Sequence, residues 1–263
     1  MPLKDRGFTL IEVAILLVVI GLIAAGGLAI INPLLDSGRA STTLKRMALV
    51  EKALQSYIQQ FGCLPCPANG ALASTAAGNF GRSLDSAGLV AGNCTANSCV
   101  TGTLSYVVPW ITLGLSEEQA TDGWNSRIRY FVGAGTPCNA AAGLQDTNGM
   151  TRCTTTSYPA GNVTITDNDG VFAATTNAAY VIVSSGPDQS RALKYRTGTL
   201  TGDRYAQTGG GLGQEENFDD DATYSYGDFI SVNGTTHFDD IVRYKSAPVM
   251  IQQCGPGACG NPS

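Results

Sequence analysis

The sequence predicts an α+β protein in which one long, kinked N-terminal helix packs on an antiparallel sheet whose long loops are braced by disulfides. Three observations predict it. Residues 8 to 31 are an almost uncharged apolar run. Apolar residues then recur at helical spacing as far as Phe61. Beyond residue 62 the texture turns to Gly, Ser, Thr and Asn-rich stretches that separate short apolar or alternating segments.

The helix comes first. Residues 1 to 7 are short and polar, with Lys4 and Arg6 against Asp5, and in the run that follows only Glu12 is charged. From Val13 to Ile31 there is no charge at all; at about 1.5 Å per residue this stretch nearly matches a hydrocarbon core of roughly 30 Å. It is expected to span a membrane, and Lys4 and Arg6 favour a cytoplasmic N-terminus. A secretory signal peptide places its apolar region before the cleavage site and is lost. Here the junction Gly7-Phe8 lies before the apolar region, so a cut there removes the charges and keeps the helix. Pro33 follows Asn32 where the run ends and is expected to kink or interrupt the helix. Leu44, Met47, Leu54, Ile58 and Phe61 then fall at helical spacing with Lys45, Lys52, Gln55 and Gln59 between them, an amphipathic half that covers a core. Gly62, Pro65 and Pro67 end it. A single helix over residues 8 to 61 is about 80 Å long, so its second half has to pack on something.

The strands expected are residues 105–110, 127–132, 162–166, 179–185, 228–232 and 240–244, with long loops at 68–103 and 186–227. The expected organisation is a leader (1–7), a membrane or filament-core helix (8–33), its amphipathic half (34–61) and a Gly-rich, β-rich outer part (62–263).

Composition narrows the function. With 263 residues, 43% of them hydrophobic, the chain can bury a real core, which excludes intrinsic disorder and a disulfide-only miniprotein. Sixteen Lys and Arg spread along a chain of net charge −5 make no basic stripe for phosphates, so no nucleic-acid partner is expected. A single histidine, His237, would have to serve any His-based triad or metal site alone. There is no G-x-S-x-G elbow and no phosphate-binding loop. Eight cysteines, an even number, favour an oxidising compartment.

The string RGFTLIEV, residues 6 to 13, resembles the start of type IV prepilins and type II secretion pseudopilins. The resemblance implies a pilin-like fold, cleavage by a prepilin peptidase between Gly7 and Phe8, and N-methylation of Phe8. It also implies assembly with other pilin or pseudopilin subunits through the N-terminal helix, with the family's glutamate at Glu12. Physics agrees with that last role. A carboxylate in an apolar helix costs roughly 2.5 to 3.5 kcal/mol on insertion scales, and residues 8 to 31 offer no cation except the amine that cleavage creates at Phe8. In a straight helix Glu12 does not easily reach its own amine; the amine of a neighbouring subunit, shifted by about one turn, can meet it. The plainer alternative is a glutamate that snorkels to water near the interface. A second resemblance covers residues 61 to 132: FGCLPCPANG, VPWITLGL and DGWNSRIRYFV are similar to a subgroup of bacterial pilin-like proteins with an LPCP segment after the helix.

The cysteines pair locally in sequence: Cys63 with Cys66, Cys94 with Cys99, Cys138 with Cys153, and Cys254 with Cys259. Eight cysteines allow 105 pairings, so the connectivity stays open. Cys63-Leu-Pro-Cys66 has redox spacing, yet it follows a helix end instead of opening a helix, which removes the dipole that would stabilise a thiolate. Structural bridges are favoured; a membrane-tethered thiol-disulfide protein is the alternative.

Asp167-Asn168-Asp169-Gly170 opens like a calcium loop but lacks the later bidentate acid. The acids at Asp219, Asp220, Asp221 and Asp228 are denser, and because some pseudopilins bind calcium in a C-terminal loop, the resemblance makes them calcium candidates against a plain solvated loop. Trp110 and Trp124 sit beside expected strands and read as core, with an exposed sugar-stacking pair of an adhesive minor pilin as the alternative. The function expected is thus a non-enzymatic filament subunit, first single-pass in the inner membrane and then part of a periplasmic or extracellular filament.

Overall fold

A computed structural model describes residues 9–61, 64–72, 78–84, 90, 106–132, 163–167, 172–176, 178–195, 205, 211–218, 223–228, 237–246 and 249–250, with side chains left out at 23–34, 212 and 214. The fold is α+β. It divides into two compact units, Met1–Arg39 and Ala40–Ser263. The boundary falls inside the first helix, α1, Leu10–Phe61, further along than the expected division after residue 33.

Helix α1 is assigned without a break through Asn32 and Pro33, which corrects the expected interruption. Proline forfeits one hydrogen bond and crowds the preceding turn, a cost that the helix absorbs here. Among the described residues no helix is long and apolar enough to cross a membrane. The side chains of the apolar run are described only as far as Leu22.

In the larger unit, one face of α1 lies against a sheet. Thr43, Met47, Val50, Leu54, Tyr57 and Ile58 are buried. At about 100° per residue Leu44 stands some 80° from Leu54, whereas Thr43 stands about 20° away. Leu44 is accordingly exposed, which corrects its place in the expected core stripe, and a threonine takes the position. Phe61 lies on the stripe but in the last turn, half-buried, with its ring 4.5 Å from that of Tyr57.

The sheet is β1 (Ala68–Asn69), β2 (Tyr106–Val107), β3 (Arg129–Val132), β6 (Ala178–Ser184) and β8 (Ile241–Ser246), in that spatial order and antiparallel throughout. Strand β6 is buried along its whole length. Its alternation explains why: Tyr180 and Ile182 face the helix with Met47, Leu54 and Ile58, while Val181 and Val183 point the other way into a second core.

That second core is closed by a three-stranded sheet that sequence reading did not anticipate. Its order is β5 (Ala173–Thr175), β4 (Thr164–Asp167) and β7 (Thr223–Tyr226). Strands β4 and β7 run parallel, unlike the sheet against α1, whose antiparallel pairing agrees with the expectation. Val163, Ile165, Phe218 and Tyr224 fill the space against β6. A short helix, α2 (Leu212–Glu216), precedes β7. Of the expected strands, 105–110, 127–132, 162–166, 179–185 and 240–244 each overlap an observed strand, whereas 229–232 lies outside the described residues. The expected loops 68–103 and 186–227 hold β1, α2 and β7.

Candidate functional site

Two places in the chain carry chemistry beyond packing. The first is the start of α1. Thr9 precedes the helix and Glu12 is its third residue, so the spacing is that of a capping box. The Thr9 N–H donates to Glu12 Oε2 at 2.9 Å, the Thr9 hydroxyl donates to the same oxygen at 3.0 Å, and the Glu12 N–H faces Thr9 Oγ1 at 3.4 Å. Glu12 therefore has a local role that sequence reading overlooked, although Thr-x-x-Glu was there to be read. From Thr9 to Leu22 every described side chain is exposed, including Leu10, Ile15, Leu17 and Leu22. Gly7 and Phe8 lie outside the described residues.

The second place is a set of buried polar groups at the ends of β3, β6 and β8. Asp122 organises the turn before β3. Its Oδ1 accepts from the N–H groups of Trp124 and Ser126 at 2.9 and 2.8 Å, and its Oδ2 accepts from the Ser184 hydroxyl at 2.7 Å. Burial nonetheless pushes this carboxyl up to about 6. Arg46 donates to the Thr121 and Asp122 carbonyls, and the Gly123 N–H donates to Thr43 Oγ1, which fastens the turn to α1. The DGWNSR segment picked out by resemblance is thus an Asp-centred turn, with Asn125 in the left-handed region at φ 65°.

Beyond the same end of β6, Gly186 to Arg191 form a tight loop with Gly186, Gln189 and Arg191 at φ 61°, 55° and 51°. Left-handed backbone at two non-glycine residues is costly and clusters at functional sites. The loop brings Asp188 to His237 and Asp239, which lead into β8. His237 Nε2 is 3.5 Å from Asp188 Oδ2 and 3.7 Å from Asp239 Oδ1. These donor atoms lie within 4.8 Å of one another. Two glycines permit the approach: a Cβ at Gly186 would overlap the Asp239 carbonyl, and one at Gly211 would overlap the His237 carbonyl. Burial, then the Asp188 charge, push the Asp239 carboxyl up to about 6. Burial likewise raises Asp240, whose Oδ2 accepts from Asn217 Nδ2 at 2.8 Å.

The expected site residues distribute as follows. Cys66 is buried and disulfide-bonded; Cys63, Cys94, Cys99, Cys138, Cys153, Cys254 and Cys259 lie outside the described residues. Of the calcium candidates, Asp219, Asp220 and Asp221 also lie outside them, and Asp228 is exposed. The group that can hold a metal among the described residues is instead Asp188, His237 and Asp239. Trp110 and Trp124 are buried, which overturns the exposed sugar-stacking pair. Trp110 packs edge-on against Phe80 at 5.1 Å with the Arg127 guanidinium over its ring.

Fold and sites together define an α+β protein with a capped, exposed apolar helix start and a buried acid-histidine cluster. No family model, curated protein or solved structure matches the chain.

Proposed function

We propose that the chain is a structural subunit of a type IV pilus-like or type II secretion pseudopilus filament. It is inserted in the inner membrane with its N-terminus cytoplasmic, cut by a prepilin peptidase between Gly7 and Phe8, methylated at Phe8 and assembled through its N-terminal helix. The observation that carries this reading is the stretch Leu10–Leu22, in which Glu12 is the one charged residue and every side chain is exposed. A contiguous apolar surface of this kind calls for lipid or for the helices of other copies. The RGFTLIEV string supports the reading independently. The role is mechanical, not enzymatic: apolar helices bundle, Glu12 meets the Phe8 amine of a neighbour, and the outer unit is displayed.

Mass spectrometry of the protein from its native membrane is expected to show residues 1 to 7 missing and Phe8 methylated; an intact leader in peptidase-competent cells overturns the reading. Because Glu12 also caps α1, two variants are needed to test the pairing. Glu12→Gln keeps an oxygen that can accept from Thr9 and removes the charge, whereas Glu12→Ala removes both. Loss of filament incorporation in both variants is expected. Incorporation kept by the Gln variant and lost by the Ala variant would assign Glu12 to capping and discard the pairing.

A further inference from the structure

We propose that Asp188, His237 and Asp239 form a binding site for one divalent transition-metal ion of the zinc type, independent of filament assembly. The imidazole is the first reason. His237 is 6% exposed, and neither ring nitrogen has a hydrogen-bond partner. A buried polar ring left unpaired is costly. Its Nε2 nevertheless faces two carboxylate oxygens, at 3.5 and 3.7 Å. Those separations exceed a hydrogen bond. They suit two ligands of one ion, since donor atoms bound at about 2.1 Å in tetrahedral geometry stand about 3.4 Å apart.

The carboxylates are the second reason. Each has one oxygen held by a backbone N–H and the other turned toward His237. Asp188 Oδ1 accepts from the Ser190 N–H at 2.8 Å, leaving Oδ2 on the imidazole side. Asp239 Oδ2 accepts from the Asp188 N–H at 3.0 Å, leaving Oδ1 on the same side. This is the outer-shell arrangement that orients metal-binding carboxylates. The backbone supports it too, through the left-handed residues of the Gly186–Arg191 loop and the close approaches at Gly186 and Gly211.

The donor set chooses the ion. One imidazole nitrogen with two carboxylate oxygens suits zinc, whereas calcium and magnesium prefer oxygen alone. Bound there, the ion accepts the Nε2 lone pair, offsets the buried Asp239 and half-buried Asp188 carboxylates and ties the loop after β6 to the entry of β8. Three protein ligands leave a coordination position for water.

The test uses the untagged full chain in detergent, stripped with chelator and titrated with zinc chloride by calorimetry. One equivalent of zinc is expected to bind and to raise the melting temperature, with millimolar calcium failing to compete. His237→Gln is expected to weaken zinc by at least about 100-fold, and Asp228→Asn to leave it unchanged. The chain has one histidine, so X-ray absorption at the zinc edge of the wild-type protein decides the matter even where a variant fails to fold: a single imidazole, oxygen ligands and no sulfur are expected. Absence of zinc binding overturns the proposal. Sulfur in the zinc shell, equal binding of calcium, or unchanged affinity in a folded His237→Gln protein overturns it as well.

Discussion

Leu16 and Leu54 belong to the same helix, and their surroundings are opposite. Leu16 is 53% exposed and Leu54 is fully buried. The inversion extends to the polar groups of the two units. Among the described residues, Leu10 to Leu22 put their apolar side chains outside, while the larger unit takes charges inside. Arg127 is buried with its Nε and Nη2 on Glu117 Oε1 at 3.1 and 2.7 Å, its Nη1 on the Gly70 carbonyl, and its guanidinium over Phe80 and Trp110. Buried charge persists only where the chain itself supplies the partners. Exposed apolar surface of this extent needs its partner from elsewhere. The larger unit is therefore internally complete in a way that the start of α1 is not.

One substitution made in both places breaks or upholds that contrast. In the full chain in detergent, Leu54→Ala is expected to destabilise the larger unit by about 3 to 4 kcal/mol, because it empties a filled site between α1 and β6. Thermal or denaturant unfolding measures it, and a loss below about 1 kcal/mol would mean that the helix is not packed on the sheet as described.

The next effect sharpens the polar side of the comparison. Burial holds the Asp122 carboxyl at about 6, above its ordinary 3.8. Between about pH 4 and pH 6 the folded state then binds more protons than the unfolded state, so this group's contribution lowers stability as pH rises through that window. Its size is on the order of 2 kcal/mol. Asp122→Asn is expected to flatten that part of the stability profile relative to wild type. Identical profiles in the two proteins would show that the turn's hydrogen bonds outweigh burial.

The smallest expected effect is the counterpart of the first. Leu16→Ala should change the stability of the larger unit by less than about 0.5 kcal/mol, while filament incorporation, if the proposed function holds, should fall. A stability loss as large as that of Leu54→Ala would mean that Leu16 already has a partner within the chain.

Much of the frame was legible because it rests on periodicity. The helical stripe through Met47, Leu54 and Ile58 and the apolar run of β6 repeat over enough residues to be read without tertiary information. The second sheet was not. Strands β5 and β7 are three and four residues of Ala, Thr, Tyr and Ser, too short and too polar to stand out. Only the far face of β6, where Val181 and Val183 need cover, gives them a reason to form. Leu44 was misplaced because spacing by threes and fours tolerates an error of most of a quadrant.

The sites divide along the same line. Sequence by itself determined the local chemistry at the N-terminus: the Gly7-Phe8 junction, the apolar run and the Thr9-x-x-Glu12 spacing are read from residues that are neighbours in the chain. Only the tertiary structure decided that Asp188 and Asp239 flank His237, since a strained loop after β6 and the entry to β8 have to meet at one end of two paired strands. A lone histidine in a sequence carries no metal signal. The same histidine, buried without a hydrogen bond between two held carboxylates, does.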